Sequence, residues 1–174
     1  MKKFLFTTLV LLFCSKSFAC KCYRVDLKKE LKSTKAILHA KVLKIEYVSM
    51  GSIFSNPERE HLEKKPENQI LHLSRNKSVA KVEVEIINTY KGNFNSEKLT
   101  IYTSKHGQSC GYLGFQVEKD FIIFLQPELL SKRLFRDYEN RVNQNRLWTS
   151  RCSRTMLFNE IESKEIRDGL KSLD

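Results

Sequence analysis

Cysteines are the residues of this sequence whose number and spacing most clearly indicate chemistry. They stand at positions 14, 20, 22, 110 and 152. Cys14 lies in a leader-like segment that we expect to be removed, so the mature chain would keep four. An even number of cysteines in an exported chain predicts two disulfides. Because a Cys20–Cys22 bond would close a small strained ring, we expect Cys20 and Cys22 each to pair with Cys110 or Cys152, in either arrangement.

The leader is residues 1–19. It has a basic start, a ten-residue apolar run over 4–13 and a small residue, Ala19, at its end, which is the pattern of a signal peptide. We therefore predict cleavage before Cys20, a single mature domain over 20–174, and a secreted location that is extracellular or periplasmic. The apolar run is shorter than the roughly 20 residues that span a bilayer, so no membrane span is predicted.

Lipidation and zinc binding are the two rival uses of the cysteines. A bacterial lipoprotein would also begin at a cysteine, but Ser17 stands where a lipobox has Leu. A thioether at Cys20 would also leave an odd number of thiols. Zinc binding fits less well, because a C-x-C with two single partners lacks paired ligand spacing. We expect no cofactor and no metal of the protein's own.

The charge of the mature chain is strongly positive. The leader holds three of the 31 basic residues and none of the 20 acidic ones, which leaves a net charge of +8. The charge is spread along the chain without a run of five, so it favours anionic surfaces or polymers, or an acidic protein, as partners. Export and the absence of a recognition motif argue against nucleic acid.

Catalysis is not indicated by the four histidines, which are His39, His61, His72 and His106. The sequence contains no H-E-x-x-H, G-x-S-x-G or P-loop motif. His106 precedes Cys110 by four residues, but a disulfide-bonded sulfur is not a nucleophile. We predict that the protein is not an enzyme.

The elements that must position the cysteines are mostly strands. Alternating or continuous apolar residues predict five strands, which cover 36–48, 79–90, 99–103, 121–125 and part of 147–158. His39 falls in the first of them and is expected to be an ordinary strand residue. Five strands with small helices at the ends predict a mainly β domain with a closed barrel of the oligonucleotide/oligosaccharide-binding (OB) type.

Two helices are predicted to flank these strands. The first covers 25–33 with Asp26 as its N-cap, and the second runs from an Asn159 N-cap to Leu173, with Glu162 at the capping-box position. The apolar stripe of the second helix is expected to contain Ile161, Ile166, Leu170 and Leu173. Residues 50–77 are rich in charge and lack periodicity, so they are predicted to form a long polar loop, either functional or disordered.

Several short motifs occur in an order that matches a known family. They are the C-x-C at the mature terminus, AILHAKVLKI, Tyr90-Lys91-Gly92, Ser109-Cys110-Gly111, KDFIIFL over 119–125 and Thr149-Ser150-Arg151-Cys152. In this order the chain resembles the N-terminal, netrin-like domain of the tissue inhibitors of metalloproteinases. The resemblance covers nearly all of residues 20–158, although identity is confined to these motifs.

The resemblance implies a disulfide pairing and an inhibitory device. The pairing would be Cys20 with Cys110 and Cys22 with Cys152. The α-amino group and carbonyl of Cys20 would chelate the catalytic zinc of a secreted metalloprotease, which is the partner's metal. The implied inhibitory ridge consists of Cys20, Lys21, Cys22 and Tyr23, together with Gln108, Ser109 and Cys110.

Lys21 stands where the family usually has a small hydroxyl residue, and Tyr23-Arg24 replaces its Val-Pro. Burying an ammonium group in an apolar pocket would be costly, so the sequence favours a target with an acidic pocket over matrix-type proteases. The alternative is that the chain is a netrin-like secreted module that binds proteins or polyanions without inhibiting a protease.

Overall fold

A computed structural model describes residues 22, 26–64, 78–105, 110–127 and 146–173. Within these residues the protein is mainly β. The elements in chain order are α1 (Leu27–Ser33), β1 (Ala36–Val48), a 3-10 turn (Met50–Ile53), α2 (Asn56–Glu63), β2 (Val79–Lys91), β3 (Lys98–Ser104), β4 (Asp120–Pro127), β5 (Leu147–Trp148), β6 (Met156–Leu157) and α3 (Glu160–Lys171). The two predicted helices and the four long predicted strands are confirmed; the bounds of the first strand are as predicted, and no other bound is shifted by more than two residues.

Five strands pair in a ring. The order is β1-β2-β3-β5-β4, and β4 pairs back onto β1. All of these pairs are antiparallel except β3 with β5, which is parallel. The expected count of five strands misses β6, which pairs with β4 on the edge opposite β1, the same edge that β5 uses, and is not one of the five strands of the ring.

The predicted buried strand, Phe121 to Leu125, lies in β4 and is inaccessible to solvent at all five positions. Successive strand side chains point to opposite faces. Phe121, Ile123 and Leu125 therefore contact the core inside the ring, while Ile122 and Phe124 pack under the helices with Leu31 and Ile166. The continuous apolar run in the sequence thus reflects burial on both faces.

β1 has 13 residues, as does β2, and it pairs with both β2 and β4. Three register shifts interrupt its pairing with β2. Such bulges bend a strand and increase its twist, which allows one strand to close the ring on two sides.

The helices pack together outside the ring. Asp26 caps α1 by accepting a hydrogen bond from the Lys29 amide at 3.2 Å, and Asn159 caps α3 in the same way from the Glu162 amide at 2.8 Å. Gly169 of α3 lies against Leu31 of α1, and a Cβ there would sit 2.6 Å from the leucine Cδ1. Absence of a side chain at this position lets the two helices approach closely.

The predicted apolar stripe of α3 is wrong at Ile161, which is 75% exposed. At about 100° per residue, Ile161 lies roughly 140° around the helix from the buried Ile166. The capping box is also half formed. The Glu162 side chain does not return to the N-cap but pairs with Arg154 at 2.6 Å.

The loop predicted over 50–77 is wrong for its first part, which forms the 3-10 turn and α2. Glu58 of α2 is 3% exposed, and its carboxylate pairs with Arg146, which lies 88 residues later. Because the partner of Glu58 is so distant in the sequence, the residues near Glu58 show no pattern that predicts this pairing. Residues 65–77 and the charged segment 128–145 lie outside the described residues. None of the described helices is long and apolar enough to cross a membrane.

Candidate functional site

The structure describes part of the predicted inhibitory ridge. Cys22 and Cys110 lie within the described residues, as does Cys152, the predicted partner of Cys22. The remaining predicted ridge residues lie outside them, namely Cys20, Lys21, Tyr23, Gln108 and Ser109. The geometry of the site is therefore built from the three cysteines and their immediate neighbours.

Cys22 and Cys152 form a disulfide, with their Cα atoms 4.9 Å apart and a sequence separation of 130 residues. This bond is one of the two implied by the family resemblance. Cys110 is also disulfide-bonded, but Cys20 lies outside the described residues, and the Cys20–Cys110 pairing stays a prediction. The N-terminal part of the chain is thus covalently attached to the turn between β5 and β6.

Cys110 reaches the same turn through a backbone hydrogen bond. The amide of Arg151, the residue before Cys152, donates to the Cys110 carbonyl at 2.7 Å. Cys22 and Cys110, which are 88 positions apart in the sequence, therefore meet at one dipeptide. We call Cys22, Cys110, Arg151 and Cys152 the cysteine platform.

The loop that carries Cys110 is held against the end of β3. A Cβ at Gly111 would lie 1.8 Å from the carbonyl oxygen of Ser104, so only glycine allows this approach. The amide of Tyr112 donates to Thr103 Oγ1 at 2.7 Å. Cys110 itself has a φ of 58°, in the left-handed region. Such values are uncommon for residues with a side chain and persist when the surroundings fix them.

An aromatic cluster anchors the same loop on its other side. The Tyr112 ring makes edge contacts with Phe115 and Phe121, at centroid distances of 4.7 and 6.3 Å. Burial among these rings raises the pKa of the Tyr112 hydroxyl. The loop therefore has an apolar anchor in the core of the ring and presents Leu113, which is 60% exposed, at its surface.

The turn that carries Cys152 is fixed by a network of hydroxyl groups. Thr149 Oγ1 lies 2.6 Å from Thr155 Oγ1, and Ser153 Oγ donates to the Ser150 carbonyl at 2.6 Å. Thr155 Oγ1 accepts from the amide of Phe124 in β4 at 3.0 Å. A satisfied buried polar network rigidifies its surroundings, so the turn has a defined position relative to the ring.

The charge of the platform comes from Arg151. Its side chain is exposed, and its guanidinium makes no ion pair or hydrogen bond within the described residues. Arg151 lies within one of the family motifs, but the sequence alone assigns it no role. An exposed arginine directly before a disulfide-bonded cysteine, in the Ser/Thr-rich segment 149–155, was the available signal.

A second charged surface lies on α1. Lys28, Lys29 and Lys32 are exposed and lie within about 100° of one another around the helix, opposite the midpoint between the buried Glu30 and Leu31. None of the three lysines has an ion pair in the described part of the chain. Like charges three or four positions apart destabilise a helix slightly. We call these three residues the lysine face.

The described histidines and acids offer no metal centre, because no group of three or more His, Cys, Asp or Glu among the described residues could hold an ion. His39 is a strand residue, as predicted. Its ring stacks on Phe158 with centroids 3.9 Å apart, and its Nε2 lies 3.4 Å from Asp120 Oδ2. These contacts join β6 and α3 to the ring and give His39 a structural role.

No protein-family model matches the chain, and no curated protein is significantly similar to it. Functional inference therefore depends on the residue motifs and on the geometry of the platform.

Proposed function

We propose that the mature protein is a secreted inhibitor of a zinc metalloprotease, with a netrin-like domain of the kind found in the tissue inhibitors of metalloproteinases. The five-strand ring would then be a closed OB-type barrel. The α-amino group and carbonyl of Cys20, freed by removal of residues 1–19, would chelate the zinc of the protease. The observation that carries the proposal is the meeting of Cys22 and Cys110 at the Arg151-Cys152 dipeptide.

This meeting matters because of what a chelating terminus requires. A flexible N-terminus loses conformational freedom when it binds, at about 1–2 kcal/mol per ordered residue. The Cys22–Cys152 disulfide fixes the chain only two positions after Cys20. Most of this conformational freedom is therefore already lost when the protein folds, before it binds. The α-amino group also has a pKa near 8 and is readily deprotonated by a bound metal ion. Preorganisation of this kind favours tight binding.

The test uses one added residue. Mature protein beginning at Cys20 is compared with a variant that carries one extra alanine before Cys20, against a panel of secreted zinc proteases. An alanine added after Asp174 is the matched control, since it has the same mass. We expect the N-terminal addition to weaken inhibition by about 100-fold or more, equivalent to ~2.7 kcal/mol, and the C-terminal addition to have no effect.

The outcome that contradicts the proposal is also clear. If mature protein with both disulfides confirmed by mass inhibits no member of the panel, the inhibitor proposal is rejected in favour of the second candidate. If both additions leave inhibition intact, the protein is an inhibitor but Cys20 is not its zinc ligand.

The second candidate is a module that binds a linear polyanion, and the observation that favours it is the lysine face. An amphipathic helix that lies on a membrane needs a free apolar side, whereas the apolar side of α1 is buried by Leu31 against α3. An anionic polymer needs only the exposed cations. The lysine face therefore suits a polymer with repeated sulfate or phosphate groups.

Heparin and polyphosphate columns test this candidate. Lys28, Lys29 and Lys32 are replaced together by Gln, which has a similar helix propensity. The control replaces three exposed lysines elsewhere in the fold, Lys64, Lys98 and Lys119, and has the same net charge. Elution of the first variant at clearly lower salt than the control supports the lysine face as the binding site, and equal elution of the two rejects it.

A further inference from the structure

Arg151 occupies the central position of the cysteine platform. Its own amide bonds to the Cys110 carbonyl, and the next residue is joined covalently to Cys22. A partner that contacts Cys22 and Cys110, the described members of the two predicted parts of the inhibitory ridge, would therefore lie close to the Arg151 backbone. The backbone at this point is fixed by the hydroxyl network of segment 149–155, so the base of the side chain has a defined position.

Arg151 also differs from the other described arginines in what its guanidinium contacts. The other four all form hydrogen bonds through it: Arg59 to the Phe54 carbonyl, Arg146 to Glu58, Arg154 to Glu162 and Arg167 to Ser163. Within the part of the chain that the structure describes, the Arg151 guanidinium has no such contact, and the side chain is exposed. The five N–H donors of this guanidinium therefore face solvent, next to two cysteines whose positions are fixed.

We infer that Arg151 is a specificity-determining residue that forms a bidentate ion pair with a carboxylate at the rim of the partner protease's cleft. The inference rests on the proposed inhibitory function and adds the chemistry of the partner. Arginine matches the planar geometry of a carboxylate and is enriched among the residues that dominate binding energy at interfaces. A positive mature chain with Lys21 beside Cys22 favours the same acidic partner.

A rigid position for the arginine is what makes such a pair effective. A charged group on a mobile loop gains little from an exposed ion pair, because ordering the side chain and salt screening cancel most of the attraction. On the platform the backbone is already ordered, and contact with the partner would exclude water from the pair. The pair should then act on the dissociation rate, whereas a peripheral charge acts mainly on the association rate.

The experiment compares four variants of the mature protein on every protease that the wild type inhibits. Arg151→Ala removes the fork, Arg151→Glu reverses its charge, and Arg151→Lys keeps the charge without the fork. Arg167→Ala, at an exposed position of α3, is the control for loss of one positive charge. Inhibition constants and dissociation rates are measured at two ionic strengths, and urea unfolding shows whether each variant keeps its stability.

We expect Arg151→Ala to weaken inhibition by about 10- to 100-fold through faster dissociation, Arg151→Glu to weaken it further, and Arg167→Ala to leave it within about twofold. Arg151→Lys should fall clearly below the wild type, and a Lys variant equal to the wild type overturns the bidentate pair. If Arg151→Ala inhibits as well as the wild type while an added N-terminal alanine still abolishes inhibition, Arg151 is not a specificity residue and the inhibitor proposal stands. If the wild type inhibits nothing, both proposals fall together.

Discussion

Breaking the buried pair between Glu58 and Arg146 is expected to destabilise the fold strongly. The two side chains are 4% and 8% exposed, and the guanidinium donates to both carboxylate oxygens, at 2.6 and 2.9 Å. The Ser55 amide and hydroxyl each donate to the same carboxylate at 2.8 Å. The Arg146 guanidinium also lies over the Phe54 ring, 4.9 Å from its centroid. The contacts of Arg146 join α2 and the residues before it to the start of β5, while those of Ser55 hold the Glu58 carboxylate in place.

The magnitude follows from the burial of both charges. Replacing Glu58 with Gln leaves a buried guanidinium without a counter-charge, and such losses cost about 3–5 kcal/mol. Replacing Arg146 with Met leaves the carboxylate unpaired and should cost a similar amount. The double variant removes both charges and should lose only about 1–3 kcal/mol. The expected coupling energy is therefore about 3 kcal/mol or more, a large part of a typical stability of about 5–15 kcal/mol.

Urea unfolding of the wild type, both single variants and the double variant measures this coupling. Glu118→Gln is the control, since Glu118 pairs with Lys41 on the surface and its side chain is 66% exposed; it should leave the unfolding midpoint nearly unchanged. Additive effects of the two single substitutions would refute the reasoning, because they would show that the two charges do not depend on each other.

The pH dependence of the same pair gives a second readout. Burial alone would raise the pKa of the Glu58 carboxyl, but the hydrogen bonds from Arg146 and Ser55 outweigh burial and lower it from 4.5. A depressed pKa in the folded state means that the pair contributes fully above about pH 4.5 and is lost as the pH falls through the lower, folded value. The difference in the free energy of unfolding between the wild type and Glu58→Gln should therefore become smaller as the pH falls below 4.5.

Three further predictions concern the elements around the platform. Replacing Cys22 and Cys152 with Ala should lower the free energy of unfolding by about 5 kcal/mol in the chain-entropy model for a loop of this length, and a loss below ~1 kcal/mol in urea unfolding would contradict it. Burial raises the pKa of Glu30 from 4.5, so its ionisation costs stability as the pH rises; Glu30→Gln should raise the urea midpoint at pH 7 and lose this advantage below pH 4.5. Gly111→Ala should displace the loop from Ser104, which the near-ultraviolet spectrum of the adjacent aromatic cluster would report, and an unchanged spectrum and midpoint would contradict it.

Much of the fold could be predicted because its strands carry strong local patterns. Val79 to Lys91 alternates apolar and polar residues, and the apolar run Phe121 to Leu125 leaves little choice but a buried strand. Asp26 and Asn159 begin their helices as their side-chain chemistry suggests. These signals depend on neighbours within a few positions, which a single sequence displays directly.

The errors arose where distant residues decide the structure. α2 is a polar helix whose docking depends on Arg146, and nothing near Glu58 in the sequence indicates that partner. β6 has two residues and exists because Phe121 and Ile122 offer a free edge. The apolar type of Ile161 predicts a place on the apolar stripe, whereas the buried side of α3 is set by contact with α1.

In the candidate site, too, some features could be predicted from the sequence and others could not. The Cys22–Cys152 bond was implied by a family resemblance, while the residues alone left two pairings open. The hydrogen bond from Arg151 to Cys110 could not be predicted, because it depends on the left-handed backbone at Cys110 and on the close approach of Gly111 to β3. Motifs located the parts of the site, and tertiary packing brings them together.

The ring closes through β5, a strand of two residues that joins β3 to β4. A seam this short has few backbone hydrogen bonds and should open locally far more often than the long β1–β2 ladder, so its amides should exchange with solvent early. Only two residues separate this strand from Arg151 and Cys152. The Cys22 disulfide and the hydrogen bond between Thr155 and β4 therefore hold the turn that carries Arg151 independently of β5. The ring can open locally at β5 while this turn keeps its position.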